Sequence, residues 1–453
     1  MASHVIDLLT LQGNFSTPEM RAIWTDENRL QQQLKVEAAL AQAEAKLGLI
    51  PEQAAEAIEK ASQADLYDIE EIAAESARLK HSMMATINAL QAQTGDYGEY
   101  VHYGVTTQDV VDTGHMLQVK ASYQIIKADL LKAIDHIAQF ADDNRDAVMA
   151  GRTHGMHALP TTLAFKAVVW LDEFIRHYQR AQEMEGRVFV GNISGGVGTY
   201  ASFGDLGAQV ETETLEILGL GVPNISWQSS RDRFSEYANV LALISASLGK
   251  IGNELYNLMR TDIGEIEEGF TDGKVGSSTM PHKRNPAAIE GLVSLTPPIQ
   301  KAAELIHHSM MTEHERDAMS WRQEWVALPE INIYLAAQLA NFNQILPNLL
   351  VRKDKMTANL NSQHGLIVSE RVMFEVAKAL GKQTAHHVVY ENAMTSFEQG
   401  RDFLEVLSRD GRITQHFDKA ALEDLLDPAN YTGLADQKVD QVLAYYKEFR
   451  KDV

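Results

Sequence analysis

The chain has 453 residues, no cysteine, and 62 Asp and Glu against 40 Lys and Arg, a formal net charge of -22. Without Cys there is no disulfide framework, thiolate zinc site or cysteine nucleophile. The acidic balance argues against binding nucleic acid or an anionic membrane through the overall field. An anionic substrate would need a locally basic pocket built against that field. At roughly 150 residues per domain, the length predicts about three domains. No apolar run reaches ~18 residues, so no transmembrane helix is expected. The opening MASHVIDLLTLQGNF lacks a basic region followed by an apolar core, so no signal peptide and a cytoplasmic protein are expected.

The elements read as helix in series. Only 11 Pro interrupt the chain, and helix-forming residues fill its long segments. A first helix should start after Thr25 as N-cap, with Asp26 and Glu27 in its first turn, and stop at Gly48 and Pro51. A second carries the stripe Met116, Val119, Tyr123, Ile126, Leu130, Ile134 and Ile137 and exits near Asp142–Asn144. A third runs from about Thr162 to Met184. A fourth, Phe234 to Glu268, contains Ser245, Ala246, Gly249 and Gly252, small residues that let neighbours approach closely. A fifth covers about Pro286 to Thr312 and a sixth about Leu328 to Leu350. The glycine-rich stretch Gly191–Gly198 is assigned a loop and no sheet. The pattern predicts an all-α protein with an elongated bundle. Soft boundaries give 1–110, a central long-helix segment 111–362, and a smaller helical segment 363–453.

The segment Gly276-Ser277-Ser278-Thr279-Met280-Pro281-His282-Lys283-Arg284-Asn285-Pro286 is the most informative. Hydroxyls, an ammonium, a guanidinium and an amide on one loop suit the grip of carboxylates. From residue types alone, a surface loop with incidental charge is about equally supported. It is not a Walker loop, and no HExxH or Cys partner suggests zinc.

This loop resembles the GSSxMPxKxNP signature of the fumarase/aspartase superfamily. Thr106-Thr107-Gln108-Asp109, in HYGVTTQDVVDTG, resembles the first shared region of that superfamily. Arg152-Thr153-His154-Gly155, in GRTHGMHALPTT, resembles the second. The three occur in the expected order across nearly the whole chain. The resemblance implies a three-domain helical fold and a homotetramer whose long helices share one bundle. It also implies active sites drawn from three subunits, and anti elimination from a succinate-like, small polycarboxylate substrate. No metal or organic cofactor is implied, and no nucleic-acid or membrane partner is expected.

By the same resemblance Ser277 is the base, with Ser278 as a neighbouring candidate. A serine is a weak base unless surrounding N–H groups and cations stabilise its ionised form. Lys283 and Asn285 would hold the carboxylate whose charge grows in the transition state, with Met280 lining the loop. His154 would be the general acid or its orienting partner, paired with Glu290. Thr106, Thr107 and Gln108, together with Arg152 and Thr153, would bind substrate. His81, His102 and Gln228 match active-site positions of adenylosuccinate lyases. His157, His307, His308, His386 and His387 read as ordinary histidines.

The branch is mixed. GRTHGMHALPTT and NISGGVGTYASFG resemble adenylosuccinate lyases. Asn14-Phe15 stands where that family places an Arg-Tyr pair, and Trp321 and Trp325 stand where it places a phosphate clamp. An indole N–H is a single neutral donor and cannot replace one. W-x-x-E-W-x-x-L-P and LDPANYTGLA instead resemble 3-carboxy-cis,cis-muconate cycloisomerases. Muconate lactonisation is therefore the first expectation. C–N elimination from an N-substituted aspartate is second, adenylosuccinate third, and a non-catalytic helical tetramer is the alternative of another class.

Overall fold

Thr25 accepts a hydrogen bond from the Asn28 N–H and starts the helix α1, Asp26–Lys46. The computed structural model describes residues 4–269, 279–280 and 282–453. Downstream lie α2 (Ser82–Thr94) and the long α3 (Thr107–Asp143), whose expected stripe from Met116 to Ile137 is fully buried. Asn144 ends α3 as expected, its amide donating to Phe140 O at 2.8 Å. Next come the strands β1 (Val148–Thr153) and β2 (Met156–Thr162), then α4 (Leu163–Val188), α5 (Gly207–Ile217) and α6 (Asp232–Met259).

The chain continues through β3 (Ile266–Glu267), α7 (Ala287–Ser294), α8 (Thr296–His308), α9 (Ala318–Ile345) and β4 (Leu350–Val351). The C-terminal segment contains α10 (Ser369–Leu380) and α11 (Lys382–Gln399). A core including Val372, Val376, Val388, Phe403 and Leu407 holds this shorter-helix region. The protein is all-α in class, with short two-stranded pairs β1–β2 and β3–β4 among the described residues. Among them no helix is long and apolar enough to cross a membrane.

Three helix boundaries differ from the sequence reading. The fourth helix ends at Met259 rather than near Glu268, because Gly264 takes φ +61° and the chain turns into β3. The fifth is two helices. Pro297 and Pro298, which lack N–H groups, occupy the first turn of α8, where that lack costs nothing. The sixth starts ten residues early at Ala318, because Asp317 Oδ1 accepts the N–H groups of Met319 (2.7 Å) and Ser320 (2.8 Å). Pro329 is carried inside that helix.

Two compact units are formed. One comprises Met1–Leu131, His177–Gly249 and Ser294–Ala340; the other comprises Lys132–Arg176, Lys250–Val293 and Asn341–Val453. Each unit is assembled from three separate stretches of chain.

The small residues of α6 serve the close approach expected of them. A Cβ on Gly249 would lie 2.4 Å from the Thr296 Oγ1, and one on Gly252 would lie 2.8 Å from Val293 Cγ2. The Thr296 hydroxyl cannot simply turn away, since it also accepts from Gln338 Nε2 at 2.8 Å. Gly249→Val should therefore destabilise the protein by about 1–3 kcal/mol through overpacking. The drop should appear as a lower midpoint in urea or thermal unfolding. Lys250→Ala, on a half-exposed side chain, should stay within about 0.5 kcal/mol of wild type.

Candidate active site

The first motif builds the N-terminus of α3. Asp109, in the first turn, reaches back to accept the Thr106 N–H at 3.1 Å, while its own N–H donates to Thr106 O at 3.0 Å. This reciprocal closure satisfies donors that a helix start leaves orphaned. Asp109 is fully buried and also accepts from Asn192 Nδ2 (2.7 Å), Gln228 Nε2 (2.9 Å) and the Gly195 N–H (2.8 Å). Burial pushes its carboxyl up to about 6, while these donors pull the other way. The carboxylate thus ties the glycine-rich loop and Gln228 to the start of α3. Gly195 and Gly198 in that loop adopt φ +79° and +77°, as a tight turn requires.

Gln108 is equally buried and donates to Asp112 Oδ2 at 3.0 Å and to Gln228 O at 2.9 Å. The Oε1 atoms of Gln108 and Gln228 are buried acceptors with no hydrogen-bond partner among the described residues. Thr107 is half-buried, and Thr106 Oγ1 accepts from Arg316 at 2.8 Å.

Behind this motif sits a buried charge cluster. Arg231, 1% exposed, donates to Asp112 at 2.6 and 3.0 Å and to both oxygens of Glu324, with Nε at 2.9 Å. Burial works against the guanidinium charge, but Asp112 and Glu324 outweigh it and hold the group protonated. Asp112 also accepts the Trp321 indole N–H at 2.7 Å, and Trp321 meets Trp325 edge-on at 4.9 Å between centroids.

His81 is the N-cap of α2, with Nδ1 accepting the Met84 N–H at 3.1 Å, and is exposed. His102 contacts Glu37 of α1, Nδ1 to Oε1 at 2.6 Å.

The second motif is a β-hairpin, which the sequence reading missed. His154 and Gly155 form its two-residue turn with φ 53° and +80°, the positive pair of a type I′ turn. A bulge near Gly151 shifts the register between Ala150 and Arg152. His154 and Thr153 are therefore exposed at the tip. Arg152 does not point outward with them. It forms a two-pronged ion pair with fully buried Glu265 at 3.0 and 2.7 Å. Within one chain no hydrogen bond or ion pair joins His154 to Glu290.

The third motif lines an open cleft of about 800 Å³, where Met280, His282, Lys283, Arg284, Asn285 and Glu290 meet Tyr256 and Arg260. The Lys283 N–H donates to Met280 O at 3.0 Å, closing a turn. A neighbouring cleft shares His282 and Arg284 and adds Arg352 and Lys355. Asp262, Glu267 and Asp354 also line these clefts, and basic side chains outnumber the acidic ones, a local excess against the net charge of the chain. Ser277 and Ser278 lie outside the described residues.

The family described as Lyase matches residues 13–297, and the family described as Adenylosuccinate lyase C-terminus matches residues 365–442. The chain is 60% identical over 447 residues to the N-acetyl-S-(2-succino)cysteine lyase of Enterococcus italicus, covering 99% of this chain and 98% of that one. It is 59% identical over 445 residues to the enzyme of the same name from Dickeya dadantii, covering 98% of each. The solved structure of 3-carboxy-cis,cis-muconate lactonizing enzyme from Pseudomonas putida aligns with a TM-score of 0.91 at 35% identity, over 96% of this chain and 98% of that one. The chain belongs to the fumarase/aspartase superfamily.

It is a lyase of that superfamily, which sets aside the non-catalytic tetramer. The lactonizing enzyme whose family those sequence motifs resemble is matched at lower identity than the two succinocysteine lyases. Shared superfamily motifs do not separate these substrates, so their order changes.

Sequence reasoning assigned no role to Asp109, Asp112, Asn192, Arg231, Glu324 or Glu37. The signal was present. Asp109, Asp112 and Thr113 interrupt the buried face of α3, and Glu37 and Glu44 interrupt an Ala-rich face of α1. A charged residue on a buried helical face needs a partner, so each marks a polar network.

Removing one partner of the buried cluster strands the others. Asp112→Asn should cost about 3–5 kcal/mol, read as a lower unfolding midpoint, and should loosen Gln108 and Trp321 together. Trp321 fluorescence should shift in the same variant.

Proposed function

We propose that this lyase eliminates a thiol from an S-(2-succino) thioether, N-acetyl-S-(2-succino)cysteine or a close analogue, releasing fumarate. The observation that carries the proposal is the 60% identity across 99% of the chain to a lyase of that name. The cationic cleft of Lys283, Arg284 and Asn285 supplies the chemistry such a substrate needs.

Ser277 takes the proton from the succinyl CH₂, and the C–H electrons move into the adjacent carboxylate. Lys283 and Asn285 hold that carboxylate as its charge grows. The electrons then return to form the C=C bond while the C–S bond breaks and sulfur leaves as thiolate. The thiolate takes its proton from the His154 acid or from water. A thiol has an ordinary pKa near 8.5, so the leaving group needs little protonation in advance. The hydroxyls of Thr106 and Thr107 donate to the remaining carboxylate, while Gln108 and Gln228, whose amide N–H groups are taken by Asp112, Asp109 and backbone carbonyls, hold the motif in shape. Glu290 supports His154. His81, Thr153, Ser278 and Met280 complete the rim, and Arg152, already engaged by Glu265, shapes the hairpin that presents His154.

The working form is a homotetramer with sites shared between three subunits. Two features support this. His154 and Glu290 are not joined within one chain. The long helices also expose Val169 (52%), Leu243 (49%) and Val326 (55%), apolar positions that a monomer would leave in water.

The first test offers N-acetyl-S-(2-succino)cysteine and follows fumarate by ultraviolet absorbance and thiol by a thiol reagent. Equal amounts of both are expected. Thiol release without fumarate, or neither product, would overturn the thioether reading. Turnover of 3-carboxymuconate or adenylosuccinate alone would assign the site to those substrates instead. Ser277→Ala should lower kcat by about 10²–10⁴-fold, and Lys283→Met should lower kcat/KM through lost transition-state stabilisation.

Mixing inactive Ser277→Ala and His154→Ala subunits should restore part of the activity. No recovery after verified subunit exchange would count against shared sites.

A further inference from the structure

His102 stands in the loop just before the Thr106 motif, with a backbone φ of 61°. Histidine in the left-handed region is uncommon and is retained where surroundings hold it. What holds it here is Glu37, whose side chain is 1% exposed and whose Oε1 lies 2.6 Å from His102 Nδ1. A carboxylate can only accept, so Nδ1 carries the hydrogen. The ring itself is 16% exposed, and its Nε2 has no hydrogen-bond partner among the described residues. The Asp109 carboxylate of the Thr106 motif acts electrostatically on the His102 ring, and Arg316 donates to Thr106 Oγ1.

We propose that Glu37 is a positioning residue: it orients the His102 ring through Nδ1–H so that Nε2–H meets the carboxylate on the thiol-bearing half of the substrate. This rests on the thioether reading for the identity of that carboxylate. Such a substrate has two succinyl carboxylates, which the elimination machinery uses, and a third on cysteine, which it does not. Selecting for the third needs a donor separate from Lys283 and Asn285, and His102 is separate from both along the chain.

The charges facing His102 agree. Burial alone would lower its pKa, but the charge and hydrogen bond of Glu37 and the charge of Asp109 raise it above the ordinary value. Glu44, also buried on α1, is pushed up to about 9 by burial and by Glu37, so it stays neutral at physiological pH. With its pKa raised, His102 keeps its charge to higher pH than an ordinary histidine, and binding through that charge is lost as pH rises through its pKa. Removing the Glu37 charge lowers that pKa and moves the loss to lower pH.

The experiment compares N-acetyl-S-(2-succino)cysteine with N-acetyl-S-(2-succino)cysteamine, which lacks the third carboxylate, across neutral to alkaline pH. Wild type should prefer the first in kcat/KM. Glu37→Gln keeps shape and an acceptor oxygen but not charge. It should raise KM for the first substrate about tenfold, equivalent to about 1.4 kcal/mol, with kcat nearly unchanged. It should also move the alkaline limb of kcat/KM to lower pH, and should affect the cysteamine analogue much less. Glu37→Asp should recover part of the preference. Should Glu37→Gln fail to fold, His102→Gln carries the test, and the carboxylate preference should shrink toward unity. Equal losses for both substrates, or an unmoved alkaline limb, would overturn the proposal. A wild type that releases fumarate from neither thioether would sink the thioether reading itself. In that case the alkaline limb, measured with the polycarboxylate that is turned over, decides the role of Glu37 by moving or staying.

Discussion

A guanidinium almost out of reach of water organises the first half of the site. Arg231 is 1% exposed and lies between Asp112 and Glu324, both at 0%. Buried charges of this kind contribute little net stability, because desolvation offsets much of their attraction. Their value lies in geometry. With Arg231 fixed, Asp112 has lone pairs left in defined directions, and these take the Gln108 amide and the Trp321 indole. Asp109, one turn earlier, uses its lone pairs on Gln228, Asn192 and Gly195. The motif is thereby held in one arrangement by its own partners, the preorganisation that the proposed carboxylate contact would need. The same commitment explains why Trp321 is no phosphate clamp: its one donor is already used.

The second constraint is the sign of the field. A chain of net charge -22 repels polycarboxylates at long range. The cleft around Lys283 answers this locally, with His282, Arg284 and Arg260 on its walls. Glu267, which lines the neighbouring cleft with Asp354, is held between Arg284 (3.5 Å) and Arg352 (2.8 Å) and so is neutralised by its own partners. Attraction confined to a short range favours ligands whose carboxylates enter the cleft over anions that merely approach the surface.

How much of this was legible in the sequence follows from which forces act locally. Helix α1 was readable to within a residue or two, because Thr25 as N-cap and Gly48 beyond the end are local signals. The buried stripe of α3 was readable because its spacing is periodic. Boundaries failed where a single backbone dihedral or cap decided the matter, as at Gly264 and Asp317. The β1–β2 hairpin escaped because its turn is His-Gly rather than Asn-Gly, and because its strands lack clean alternation. The motif residues could be named from resemblance, but their partners could not. Nothing near Arg152 in sequence announces Glu265, and nothing near His102 announces Glu37, since both pairings span long stretches of chain.

On the proposed reading, the chemistry of the leaving group sets what is asked of His154. An elimination that expels an amine leans heavily on its acid, since the neutral nitrogen leaving group must be protonated as the bond breaks. One that expels a thiolate leans on it less, because sulfur already carries the charge acceptably near neutral pH. The burden then shifts to the groups that stabilise the carbanion. On the proposed reading those are Lys283 and Asn285, which line one cleft. Under the proposed function, the thioether therefore asks more of the groups around the carboxylate than of the acid.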